Sequence, residues 1–206
     1  TVAPALPATT LAANCYEGLF QECTSLTELA PCPIELENCW IYRSKKCEDL
    51  ITVSALPATT LATNCYTSMF SNCTGLTAAP ALPATTLAVA CYESMFSGCT
   101  GLTAAPALPA TTLAEWCYLS MFSNCTGLTA APALPATTLA ANCYQSIFQG
   151  CSNLNRIAVS FSVWHVNATT NWVLLTSATG TFTCPAALPD VRGEHNIPTG
   201  WTRINL

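Results

Sequence analysis

Leu61-Ala62-Thr63-Asn64-Cys65-Tyr66-Thr67-Ser68-Met69-Phe70-Ser71-Asn72-Cys73 is the stretch on which the fold turns. On a helical wheel at about 100° per residue, Leu61, Ala62, Cys65, Tyr66, Met69, Phe70 and Cys73 share one half circle. Thr63, Asn64, Thr67, Ser68 and Ser71 occupy the other. That segregation predicts an amphipathic helix over roughly 60–72, with Thr59 or Thr60 as its N-cap. Gly75 follows where a helix end wants a left-handed residue. Leu76-Thr77-Ala78-Ala79 predicts one short strand, ended by Pro80 and Pro83 because proline has no N–H to donate.

The same unit recurs along the chain. Leu-Pro-Ala-Thr-Thr-Leu stands at 6–11, 56–61, 82–87, 108–113 and 134–139, and the last four copies are spaced by 26 residues. The first two copies are 50 residues apart, so a degenerate unit lies between them at about 31–50. There Cys39-Trp40 and Cys47 keep the spacing of Cys15-Tyr16 and Cys23. A fixed period of this size means stacked units, none of which can bury its apolar face alone. The expected fold class is therefore α/β: a right-handed solenoid of strand–helix units of about 26 residues over 1–155. The composition changes after Leu154, which predicts a C-terminal capping segment over 156–206. Thr1 aligns with Thr77, so the chain is expected to start inside a repeat and to be a fragment of a longer protein.

The motif Met-Phe-x-x-Cys-x-x-Leu, followed by a short strand and Leu-Pro, resembles the BspA-type (Treponema pallidum-like) leucine-rich repeat of bacterial surface proteins. The longer form with Leu-Pro-Ala-Thr-Thr-Leu is similar to the variant of Bacteroides-like bacteria. The matching positions are Phe20, Phe70, Phe96, Phe122 and Phe148, with Cys23, Cys73, Cys99, Cys125 and Cys151. The resemblance implies a leucine-rich-repeat fold, a secreted or cell-surface bacterial location, and adhesion to protein or glycan partners on host or neighbouring cells.

Composition narrows the function independently. Hydrophobic residues make up 51% of the 206 residues and charged ones 8%, which excludes intrinsic disorder. Thr, Ser, Asn or Pro interrupts every apolar run, so no membrane-spanning segment is expected. A net charge of −5 with six Lys and Arg argues against a nucleic-acid partner. Twelve of the fourteen cysteines fall in pairs eight apart, one pair per unit, on the apolar half of the wheel. Eight helical residues span about 12 Å, too far for a disulfide within a unit. Bonds between stacked units stay open by geometry, but buried free thiols are the expectation. No metal site is expected without a CxxC pair or nearby histidine. Asp190, His195 and a serine could form a triad on paper, yet nothing in their spacing suggests one; no enzyme activity and no cofactor are expected.

Two clusters are candidate partner contacts. Trp116 and Leu119 lie on the polar half of the wheel, with Val89 on the same face one unit away; sister repeats carry Asn or Ala at the Trp116 position. Three clustered apolar residues mark an interface more readily than one. The degenerate unit sets Arg43, Lys45 and Lys46 among Trp40 and Tyr42. The functional expectation is a non-enzymatic binding module. The alternative is a structural, self-associating component of a fibre, filament or phage tail appendage.

Overall fold

The computed structural model describes residues 22, 23, 25, 27–29, 46–53, 56 and 58–206. Among the described residues there is no helix, which overturns the α/β leucine-rich-repeat solenoid expected above. The strand of Leu76–Ala79 shrinks to an isolated parallel bridge, Ala78 with Ala104. What replaces the helix is a chain of tight turns with a period of four.

The backbone of 64–73 shows why. Asn64, Ser68 and Asn72 have φ of 60°, 53° and 60°, a left-handed residue at every fourth position. Each is the third residue of a turn closed by a hydrogen bond: Cys65 N–H to Ala62 O, Met69 N–H to Tyr66 O, and Cys73 N–H to Phe70 O, at 3.1–3.3 Å. A type II turn needs positive φ at that position, and Asn tolerates it better than most residues. Thr67 and Ser71 also donate back three residues, to Asn64 and Ser68. The intervening N–H groups of residues 64, 66, 68, 70 and 72 point along the stack. They donate to the carbonyls of Val89, Cys91, Glu93, Met95 and Ser97 at 2.7–3.0 Å. An α-helix spends its N–H groups on carbonyls four residues back; here every second one ties two coils together instead. No N–H in this run is left unpaired, as a buried backbone requires.

The inward and outward sorting of side chains survives this change. Cys65, Tyr66, Met69, Phe70 and Cys73 are buried, and so are their counterparts one and two coils on. Like residues then stack in columns. Tyr66, Tyr92, Tyr118 and Tyr144 lie with centroids 5.6, 5.8 and 6.0 Å apart and rings within 9° of parallel. Phe70, Phe96, Phe122 and Phe148 form a second ladder at 5.6, 5.7 and 5.9 Å. Offset stacking at this distance adds to burial.

Gly75, Gly101 and Gly127 do not take the left-handed conformation expected of helix ends. Their role is close approach: a Cβ at Gly101 would run into the Thr74 carbonyl of the preceding coil.

Among the described residues, five short strands lie around the turn runs. β1 (Glu28–Leu29) pairs in parallel with β2 (Thr52–Val53), Glu28 against Thr52. β3 (Arg156–Ala158), β4 (Thr181–Cys184) and β5 (Thr202–Asn205) form a parallel sheet in that order. Residues 156–206 thus continue the parallel stacking, with Arg156 against Thr181 and Thr181 against Thr202. Trp172 takes the place that Met95, Met121 and Ile147 hold in earlier coils, since Phe148 N–H donates to its carbonyl at 2.9 Å as Phe70, Phe96 and Phe122 do to theirs. Its fully buried indole N–H donates to Asn196 O at 2.8 Å, and Phe161, Trp164 and Phe182 surround it.

Candidate functional site

Trp116 is the third residue of the turn that places Cys117 N–H on Ala114 O, and its φ is 56°. A bulky side chain rarely accepts that conformation, which costs an L-residue roughly 1–2 kcal/mol. Sister coils place Asn64, Ala90 and Asn142 there. Trp116 is nonetheless 40% exposed, and Val89 is 37% exposed. Leu119 is half-buried, and its N–H closes a second turn onto Trp116 O at 3.1 Å. The Leu119 carbonyl accepts from Ser94 N–H of the preceding coil, at 2.7 Å, and the Trp116 N–H donates to Ala141 O of the following one, at 3.1 Å. The patch therefore sits on a backbone braced from both sides.

The indole is fixed as well. With the Asn142 amide oriented to satisfy its neighbours, its oxygen accepts from Trp116 Nε1 at 2.8 Å. Its nitrogen donates to Gln145 Oε1 at 3.0 Å and to Asn167 O at 2.9 Å. One polar network thus links three successive coils beneath an exposed aromatic face.

The second candidate cluster lies mostly outside the described residues: Trp40, Tyr42, Arg43 and Lys45 all do. Lys46 is described and is an ion-pair partner, its Nζ 3.0 Å from Glu22 Oε1 at an exposed site. His195 accepts from Asn171 N–H through Nδ1 at 2.9 Å. Asp190 turns to Arg192, at 2.5 and 3.0 Å, and that guanidinium holds its carboxyl below the usual range. The structure does not bring the paper triad together. Among the described residues no cluster of three His, Cys, Asp or Glu could hold a metal ion, and no helix could cross a membrane.

Two features escaped the sequence reading. Successive apolar grooves of about 440 and 450 Å³ run between coils, the first walled by Leu82, Pro83, Pro106 and Pro109, the second by Leu108, Pro109, Pro132 and Pro135. Val163, Val166 and Leu175 are more exposed than Trp116. The Ala-Pro-Ala-Leu-Pro repeats were the available signal for the grooves; nothing marked the other three.

Compared with known proteins, the chain matches no family model, no curated protein and no solved structure.

Proposed function

We propose that this chain is a non-enzymatic binding module of a secreted or cell-surface bacterial protein, which engages a protein or glycan through its turn face. The observation that carries the reading is Trp116 itself. A tryptophan is held in a left-handed conformation that sister coils give to Asn or Ala, and its ring faces outward. Strain kept at an exposed aromatic suggests a contact made outside the fold. The resemblance of the repeat motif to bacterial surface proteins supports the setting, although the backbone is not theirs.

A self-assembling fibre is the second reading, and it would use the open edge of β5. That edge strand carries Arg203, whose guanidinium donates to the carbonyls of Pro185 and Ala186 just beyond β4, at 3.3 and 3.1 Å. Charged groups at a sheet edge work against such pairing, which favours the module.

Screening on immobilised glycans and extracellular-matrix proteins, with Trp116→Asn beside the parent, tests this. The variant is expected to lose about tenfold or more in affinity and to change its melting temperature little. Relief of the left-handed strain offsets the lost bond to Asn142. Equal binding by both chains, or ordered oligomers of the parent in mass photometry, would count against the module.

A further inference from the structure

Two columns of cysteine run through the stack, and one of them includes a residue, Cys23, that is only partly buried. Cys99, Cys125 and Cys151 each give their S–H to a backbone carbonyl of the preceding coil, at 2.9–3.0 Å. Cys73 also shares a side-chain hydrogen bond with Cys47, and the backbone N–H of Cys23 points to the Cys47 sulfur, as the N–H of each earlier cysteine does to the next one along the column. Cys23 is the only one of the eleven described cysteines that is not fully buried.

Cys23 and Cys47 hold equivalent places on adjacent coils. Glu22 and Lys46, the residues just before them, have φ of 59° and 60° and are joined by the 3.0 Å ion pair. Five residues after each cysteine, Glu28 and Thr52 are parallel strand partners. Neighbouring strands lie about 4.8 Å apart, within the roughly 4.4–6.8 Å between Cα atoms that a disulfide needs.

We propose that Cys23 and Cys47 form a redox-active dithiol, closed to an inter-coil disulfide by a small-molecule disulfide such as glutathione disulfide. Burial and the neighbouring Cys47 push the Cys23 thiol up; once its proton has passed to solvent, the Cys23 thiolate attacks one sulfur of the reagent, breaking its S–S bond and releasing one glutathione, which takes up a proton from solvent. The Cys47 thiolate then attacks the Cys23 sulfur, forms the Cys23–Cys47 bond and expels the second glutathione. Two protein thiols are oxidised, one disulfide is reduced and two glutathiones leave. The hydrogen bond from Cys73 and the N–H of Cys23 favour the thiolate of Cys47, whose thiol lies below its ordinary range although burial opposes this. Deeper thiols in the column remain bonded to carbonyls and out of reach of the reagent.

The reduced native chain is incubated with glutathione disulfide, quenched in acid, and digested with trypsin and a glutamate-specific protease. These cuts isolate Cys23 in residues 23–28 and Cys47 in residues 47–48. The expected product links these two peptides. Cys47→Ser is expected to stop at a glutathione adduct on Cys23, and Cys23→Ser to give neither adduct nor link at these positions. Cys99→Ser should behave as the parent does. A parent that stops at the adduct overturns the proposal. So does a link from Cys23 to the separate peptides holding Cys15, Cys32 or Cys39, or a Cys47→Ser variant that still closes a disulfide on Cys23.

Discussion

Cys99 reaches back across a coil boundary to Phe70, its thiol donating to the Phe70 carbonyl oxygen at 3.0 Å. That oxygen already accepts the N–H of Cys73 at 3.1 Å. A carbonyl has two lone pairs, and a buried one with both filled is better placed than one with a single partner. Cys125 and Cys151 repeat the bond to Phe96 and Phe122. The cysteines are thus small core residues that also carry a weak donor, a combination that Ala lacks.

Burial gives these thiols a pH signature. Desolvation pushes Cys65, Cys91, Cys99, Cys143 and Cys151 up to about 12, and Cys117 and Cys125 well above the ordinary thiol range. The folded chain therefore keeps protons that the unfolded chain gives up above about pH 8.5. Stability is complete below that pH and falls as pH rises, by about 1.4 kcal/mol per unit for each thiol. Seven such thiols together remove on the order of 10 kcal/mol within one unit, comparable to a whole domain's stability. Under reducing conditions, circular dichroism should show cooperative unfolding between about pH 9 and 10. A chain that stays folded to pH 11 would show that these thiols do not titrate from a buried, reduced core.

Tyr118 sits between Tyr92 and Tyr144, and its hydroxyl is buried without a hydrogen-bond partner. An orphaned polar group of this kind costs about 1–3 kcal/mol. Tyr118→Phe removes the oxygen and keeps the ring, so urea unfolding should show a gain of about 1 kcal/mol. A loss would mean that the hydroxyl is satisfied in solution.

The partition of side chains was legible in the sequence, but the backbone beneath it was not. Buried positions at Cys65, Tyr66, Met69, Phe70 and Cys73 fit a period of 3.6 and a period of 4 almost equally well over nine residues. The two differ by about 10° per residue, which leaves all five within one half circle on either wheel. The discriminating signal lay on the polar side, where Asn64, Ser68 and Asn72, and in the next unit Ser94 and Gly98, mark every fourth residue. Asn and Gly at that spacing point to repeated left-handed turns, and a helix has no use for them. The exposed position of Trp116 followed from the pattern; its strained φ and its bond to Asn142 depend on the coil geometry and could not be read.

The Asn and Gly positions also set what the stack tolerates. Removing Leu82–Ala107 takes out one period in register, so Tyr66 and Phe70 meet Tyr118 and Phe122, and Cys125 meets the Phe70 carbonyl. A deletion of 13 residues from the same place would set turns against bridges and should not fold. The in-register deletion is not free, however. Along one column the residues alternate Asn72, Gly98, Asn124, Gly150, and each Asn amide lies where a Cβ on the following Gly would have to go. Deleting one unit sets Asn72 against Asn124, whose Cβ enters that space. The expected cost is about 1–3 kcal/mol, typical of overpacking a tight site. Adding Asn124→Gly should recover it, because Gly accepts positive φ there as Gly98 and Gly150 do. Deleting Leu82–Ala133 instead restores Asn72 against Gly150 without any substitution. Denaturant midpoints of the three chains check this. If Asn124→Gly fails to raise the one-unit deletion, the alternation plays no part in fitting coil to coil.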